Sequence, residues 1–139
     1  VGGKCSASPG RYNFRCGATY YSYGEDENAP TGTMKSFRLE ANGKFERRIA
    51  VYQSCSYCPR EETQKGTYRI RAAQKYFPGI GKMDEIKFVV DSDFEDVFNY
   101  MIGEYSYLYM RRDGDVEGNQ YVVSEGTEAD SLGNETPPW

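Results

Sequence analysis

The sequence predicts an all-β protein, an eight-stranded antiparallel up-and-down barrel. Aromatic residues make up 15% of the 139 residues and include 13 tyrosines, which favours strands. Turn signals built from Gly, Pro, Asn and Asp recur about every ten residues, as in antiparallel β structure. Because an open sheet of eight strands would leave two exposed edges, closure into a barrel is the expected arrangement.

Runs of alternating or β-prone residues define the eight expected strands. They lie near residues 11–22, 33–41, 45–53, 66–72, 84–90, 96–102, 105–112 and 119–125. The most specific signal is the Asn42-Gly43 dipeptide between the second and third strands, which favours a hairpin with a type I′ turn. In this hairpin Phe37 and Leu39 alternate with polar neighbours. The fourth and fifth strands alternate in the same way, with Tyr68 and Phe88 on their apolar faces.

The stretch FNYMIGEYSYLYMRRDGD, residues 98–115, admits two interpretations. Ser92 followed by Glu95 resembles a helix capping box, and apolar residues then recur at helical spacing, which supports a short helix over 93–103. The alternative forms two strands joined at Gly103-Glu104 and then turns through DGDVEGN into the last strand. The barrel prediction uses the strand interpretation, and the sequence leaves both open.

Four cysteines form an even set in the first half of the chain, and we expect them to form disulfides that staple this half. They are Cys5, Cys16, Cys55 and Cys58. Four cysteines allow three pairings, which the sequence does not distinguish. CSYC also permits a redox pair, but a charged loop and not a helix follows it. A zinc site is a further alternative, although the spacing of the first two cysteines is not the usual zinc pattern.

Charge and hydropathy exclude several classes of partner. The chain has 17 Lys and Arg against 21 Asp and Glu, and the cations are scattered, so we expect no nucleic-acid partner. No apolar run approaches the roughly 20 residues of a membrane span. We expect one barrel domain over 1–126 and a flexible acidic tail over 127–139. The start at Val1 and the cysteines suggest a secreted, extracellular protein with its leader removed.

No enzymatic activity is expected. The chain has no histidine to serve as a general base, no Gly-x-Ser-x-Gly motif and no phosphate-binding loop. Asp91, Asp93, Glu95 and Asp96 leave a glycosidase-like pair of carboxylates open as an alternative. DGDVEG resembles the start of a calcium loop, but Ser124 stands where that loop needs a bidentate Glu, so a hairpin turn is expected. No cofactor and no metal site are predicted.

Three segments resemble the lipocalin family of calycin-like β-barrels. NYMIGEYSYLYM is similar to the segment that leads through a Thr-Asp-Tyr-type step into the next strand, with Gly103-Glu104-Tyr105 at the step. GNQYVVSE resembles the last barrel strand, and SPGRYNF resembles the Gly-x-Trp opening, with Gly10 and Tyr12 in the matching positions. The order of segments agrees over residues 10–125. Here Tyr12 replaces the family's Trp, and Glu125 stands where its closing Arg would follow.

The resemblance implies a secreted carrier that holds one small, partly apolar or aromatic ligand inside the barrel. Inward rings would line the cavity and tyrosine hydroxyls would orient the ligand. The predicted ligand-binding residues are Phe37, Leu39, Tyr68, Phe88, Tyr100, Tyr105, Tyr107 and Tyr109. The alternative is a barrel filled by its own side chains that binds another protein, for example as a protease inhibitor or host-directed factor. A deep apolar cavity favours the carrier, whereas a filled interior with an apolar surface patch favours the protein binder.

Overall fold

The computed structural model of the chain describes residues 4–5, 13–23, 29–52, 54–77, 81–91, 94–102 and 107–123. The strands are β1 (Lys4–Cys5), β2 (Phe14–Arg15), β3 (Thr19–Ser22), β4 (Met34–Leu39), β5 (Lys44–Ala50), β6 (Glu61–Phe77), β7 (Gly81–Asp91), β8 (Phe94–Ile102), β9 (Leu108–Arg112) and β10 (Asn119–Val123). Within these residues, no helix has the length and hydropathy that crossing a membrane requires. The predicted tail over 127–139 lies outside the described residues.

Strands β3 to β10 form one closed barrel. Each strand pairs antiparallel with the next along the chain, and β10 pairs with β3 to close the ring. At the closure, Tyr20 lies opposite Val123 and Tyr21 lies opposite Val122. The predicted all-β fold, with eight antiparallel strands in up-and-down order, is therefore confirmed.

The sequence left open whether residues 93–103 form a helix or a strand, and the structure has strand β8 there, over Phe94–Ile102. It pairs with β7 on one side and with β9 on the other, so both of its edges are hydrogen-bonded. Asp96, Phe98 and Tyr100 are all buried and recur with the period of two that a strand imposes. The helical alternative over 93–103 is wrong, because two neighbouring strands outweigh a local capping signal.

Two expected strands differ in extent from the observed ones. The predicted first strand, 11–22, is interrupted after Arg15 by a turn in which Gly17 has a φ of 83°. The part before the turn is β2, which pairs with β1 outside the barrel, and only the part after it joins the barrel. Strand β6 is much longer than the predicted 66–72. Its first half pairs with β5 and its second half with β7, so it bridges two neighbours that are offset along the barrel.

The hairpin between β4 and β5 forms as predicted, but its turn is of a different type. The N–H of Gly43 donates to the carbonyl of Glu40 at 3.1 Å, which places Ala41 and Asn42 at the centre of the turn. Gly43 follows with a φ of 86°. A turn followed by a residue of positive φ is the usual three-residue hairpin connection, so the type I′ prediction is wrong.

Both disulfides predicted for the N-terminal half are present, and their pairing is sequential. Cys5 bonds to Cys16, with Cα atoms 5.5 Å apart, and both residues are buried. Cys55 bonds to Cys58 within the exposed loop between β5 and β6. The first disulfide therefore ties the β1–β2 sheet to the start of the barrel, and the second closes a tight surface loop.

Candidate functional site

Four of the predicted ligand-binding residues lie in the barrel interior, each at most 1% exposed. They are Phe37, Leu39, Phe88 and Tyr100. Tyr68 is half-buried, and its hydroxyl donates a hydrogen bond to the carbonyl of Glu40 at 2.7 Å. The structure thus brings these five side chains to the interior surface of the barrel. Their binding of a ligand remains a prediction.

Two further predicted residues lie on the outside of the barrel. Leu108 and Met110 on β9 belong to the buried core, so the half-buried Tyr107 and Tyr109 alternate with them and face outward. They therefore do not face the barrel interior, and a role for them in ligand binding remains a prediction. The inward positions are taken by the aliphatic side chains, which pack against the core. Tyr105, the last predicted residue, lies outside the described residues.

Aromatic rings fill the described interior by direct contact. Phe37 is at the centre: the ring centroids of Tyr20, Phe88 and Tyr121 lie 5.0, 6.0 and 5.6 Å from its own. Phe88 makes edge contacts with two more rings, those of Phe45 and Phe98, at 4.8 and 5.7 Å. Such centroid distances are those of rings in van der Waals contact, so these side chains leave no space between them for a ligand.

Phe14 closes the interior on one side. It lies on β2, outside the barrel, yet it is fully buried against the rings of Tyr20, Phe37 and Tyr100. The Cys5–Cys16 disulfide lies in the same buried cluster. The small β1–β2 sheet therefore inserts a ring into the barrel interior.

A buried charge network crosses the interior. The carboxylate of Asp96 on β8 accepts a hydrogen bond from Nη1 of Arg47 on β5 at 2.8 Å. It accepts two more, each at 2.8 Å, from Nε and Nη2 of Arg112 on β9. The Arg47 side chain is 1% exposed, that of Asp96 is 7% exposed and that of Arg112 is 32% exposed. The network therefore extends from the dry interior toward solvent at Arg112.

Charge pairing favours the ionised forms of Asp96 and Arg112, whereas at Arg47 burial outweighs the pairing with Asp96 and lowers the pKa of the guanidinium. Burial raises the pKa of Asp96, but the hydrogen bonds and charges of Arg112 and Arg47 outweigh it, and the pKa falls below its ordinary value. The guanidinium of Arg47 also lies over the ring of Phe88 at 5.2 Å, and that of Arg112 over Phe98 at 4.9 Å. These cation–π contacts join the charges to the aromatic core.

The sequence contains a signal for this network that motif reasoning missed. Arg47 occupies an inward position between Phe45 and Ile49, and Asp96 occupies one before Phe98. A charged residue at one of the alternating positions that otherwise hold apolar, inward-facing residues must be paired if it is buried. Opposite charges at inward positions of separate strands therefore indicate an interior ion pair.

Exposed and half-buried tyrosines form a group on the outer side of β3, β9 and β10 and the residues next to them, which we call the tyrosine face. Its residues are Tyr21, Tyr23, Tyr107, Tyr109 and Val122. Tyr21 lies directly opposite Val122, and Gln120 lies opposite Tyr109, which places these positions on one side of the sheet. Tyr21 and Tyr23 are 38% and 55% exposed. The ring centroids of Tyr23 and Tyr107 are 4.6 Å apart, so the rings form a contiguous patch across β10.

The loop that the second disulfide closes also presents tyrosines to solvent. Tyr57 lies between Cys55 and Cys58 and is 97% exposed, and Tyr52 just before the loop is 77% exposed. These two rings have no part in the core cluster. They are isolated surface side chains, and Tyr57 is therefore a useful control for the tyrosine face.

Comparisons of the chain with protein-family models, with curated proteins and with solved structures find no match. The closed barrel of eight antiparallel strands is consistent with a calycin-like fold. Membership of the lipocalin family remains a prediction. Function must therefore be argued from the geometry of this chain alone.

Proposed function

We propose that the protein is a secreted binding module whose filled barrel is a rigid scaffold and whose outer surface binds another protein. The observation that carries the proposal is the mutual contact of the interior rings around Phe37 and Phe14, which occupy the space that a carrier would need for its ligand. Two disulfides are compatible with an oxidising, extracellular setting. A packed barrel keeps its surface strands in fixed positions, which lowers the entropic cost of binding.

The tyrosine face is the surface that this proposal assigns to the partner. Tyrosine combines a large apolar ring with a polar hydroxyl, and it is enriched in protein interfaces because few rotatable bonds must be fixed on binding. The contact between Tyr23 and Tyr107 keeps part of the face ordered before binding. We therefore expect the centre of the interface near these two rings.

The proposal includes no catalytic step. Asp96 is the carboxylate of the interior network described above, and two guanidinium groups donate hydrogen bonds to it. Its lowered pKa keeps it ionised at neutral pH, whereas a general acid needs a proton to give. These properties suit a structural ion pair.

The carrier hypothesis makes a different demand on the same molecule. A small apolar ligand would have to displace rings such as Phe14 or Phe88, each fully buried. Binding would then carry the cost of opening a packed core, and apolar fluorescent probes would be expected to enter only if the core opens readily. Failure of such probes to bind supports the filled barrel.

The experiment compares partner capture from the natural extracellular fluid by three forms of the immobilised protein. They are the wild type, the double variant Tyr23→Ser/Tyr107→Ser and the control Tyr57→Ser. We expect a protein retained by the wild type and by the control to be lost with the double variant, whose urea midpoint is measured to confirm that it folds. Equal retention by all three forms would contradict the role of the tyrosine face.

A further inference from the structure

The outer surface of β5, β6 and β7 carries most of its charge with one sign. Its outward positions hold six cationic side chains, which we call the basic face: Lys44, Arg48, Lys65, Arg69, Arg71 and Lys87. The carboxylates beside these cations on the same strands include Glu46, Glu61 and Glu85, and Glu61 pairs with Arg48 at 3.6 Å. The whole chain has a net charge of −4, so this face has the opposite sign to the protein as a whole. The packing of the barrel interior does not depend on these outward-facing cations.

The centre of the basic face is Thr67 on β6. Lys44 lies directly opposite Thr67 on β5, while Lys65 and Arg69 lie two residues before and after it on the same side of the strand. Among the described residues, none of these three cations forms an ion pair, although Arg71 pairs with Glu85 at 2.9 Å. Lys44 is the diagonal neighbour of both Lys65 and Arg69, at the spacing of about 7–8 Å across which unpaired cations repel each other.

The strand register adds a further like-charge contact. Arg69 lies directly opposite Lys87 on β7, an arrangement that destabilises a sheet. Lys87 has a partial partner in Glu95 at 3.5 Å, but Glu95 is 55% exposed and offers only a weak surface pair. An anion bound over β6 would relieve the repulsion among Lys44, Lys65 and Arg69.

A shallow cleft on this side of the barrel offers space for such an anion. Its volume is about 480 Å³. It is lined by the cations Arg38, Lys44 and Lys65, the carboxylates Glu40 and Glu46, and by Asn42, Phe45, Gly66 and Thr67. Arg38 is neutralised by Glu40 and Glu46, at 2.6 and 2.9 Å. The two lysines are therefore the free charges of the cleft, and the Asn42 amide and Thr67 hydroxyl add uncharged hydrogen-bonding groups.

The chemistry of the face distinguishes between classes of polyanion. Its outward positions on Lys44–Arg48, Thr63–Arg71 and Glu85–Val89 include no aromatic ring, and Val89 is their one apolar side chain. Surfaces for single-stranded nucleic acid place rings between the cations for base stacking, and membrane-binding surfaces present large apolar residues. Cations with a hydroxyl and an amide instead suit a ligand made of anionic groups and hydroxyls.

We propose that the basic face binds an acidic polysaccharide, with its sulfate or carboxylate groups placed between Lys44, Lys65 and Arg69. The extended polymer lies along β6, where Lys65 and Arg69 are separated by roughly 13 Å of strand. This site is on the opposite part of the barrel surface from the strands of the tyrosine face, β3, β9 and β10, so it is independent of the proposed protein partner.

The test uses heparin as the sulfated polysaccharide and measures its affinity by titration calorimetry in about 0.15 M salt. The variant Lys65→Gln/Arg69→Gln removes two unpaired cations of the basic face. The matched control Lys35→Gln/Lys82→Gln removes the same charge from outside the six residues of the basic face. Lys35 lies on β4 and pairs with Glu61 at 3.4 Å, and Lys82 lies at the start of β7, opposite Tyr76. Urea midpoints confirm that all forms are folded. We expect the basic-face variant to bind at least about tenfold more weakly, and the control to bind as the wild type does.

The same affinity measurement is made with two other polyanions, a DNA duplex and phosphatidylserine vesicles. The proposal expects heparin to bind more tightly than either at the same salt concentration. Tighter binding of DNA or of vesicles would overturn the assignment to a polysaccharide. Absence of heparin binding, or equal losses in the basic-face variant and the control, would overturn the site itself.

Discussion

Replacing Asp96 by Asn tests the buried charge network most sharply. The substitution preserves the size of the side chain but removes its negative charge, and the amide nitrogen that replaces one carboxylate oxygen cannot accept a hydrogen bond from a guanidinium group. Arg47 is then left 2% exposed with an unpaired positive charge. Breaking a buried ion pair from one side costs about 3–5 kcal/mol, so we expect the free energy of unfolding of Asp96→Asn to fall by about this amount.

Two variants separate this effect from ordinary loss of an ion pair. Glu46→Gln removes a partner of Arg38, and because both side chains are more than a third exposed we expect a change of about 0.5 kcal/mol or less. Arg47→Met removes the buried cation and leaves Asp96 on both nitrogens of Arg112, so it should cost no more than about 2 kcal/mol. Urea unfolding followed by circular dichroism measures all three. The reasoning is refuted if Asp96→Asn is no more destabilising than Glu46→Gln or Arg47→Met.

Three further predictions follow from the same packing. The pKa of Asp96 is lowered by folding, so its stabilisation is complete above the unfolded value of about 4 and is lost as pH falls toward the folded pKa. Urea titrations at several pH values should show a flatter acid dependence for Asp96→Asn, and an unchanged slope would contradict the shift. Phe14→Ala should lower the free energy of unfolding by about 3–5 kcal/mol, against about 0.5 kcal/mol or less for the exposed Tyr57→Ala. Equal urea midpoints would argue against the packing of Phe14 in the barrel interior. Replacing Cys5 and Cys16 by Ser should cost about 2–4 kcal/mol, more than loss of the exposed disulfide in the β5–β6 loop, and the reverse order in thermal unfolding would count against the buried disulfide as the main constraint.

The barrel and part of its core could be predicted from the sequence because alternation is a local property. Phe37, Leu39 and Phe88 occupy every second position of β-prone runs, and all three are buried in the interior. The same rule failed at Tyr107 and Tyr109, because tyrosine suits either side of a sheet. The residues of β9 that face inward are set by its pairing with β10. Tyr121 of β10 faces inward, so Leu108 directly opposite it faces inward too, and Tyr107 and Tyr109 face outward.

The features that decide between a carrier and a filled barrel depend on contacts distant in sequence. Arg47 and Asp96 are 49 residues apart, and they meet only because the strands close into a barrel with a particular offset. Phe14 was expected within the first barrel strand. The turn at Gly17 instead places it on a separate small sheet, from which its ring enters the interior. Neither arrangement has a signature within a short stretch of sequence.

The central claim is that the barrel is filled by its own side chains. Native mass spectrometry of the protein purified from its natural source tests it most directly, by comparison with the mass of the denatured chain. The filled barrel predicts equal masses once the disulfides are accounted for, together with no uptake of an apolar fluorescent probe by the folded protein. A small organic molecule retained by the native form and released on denaturation would contradict the claim and establish the carrier.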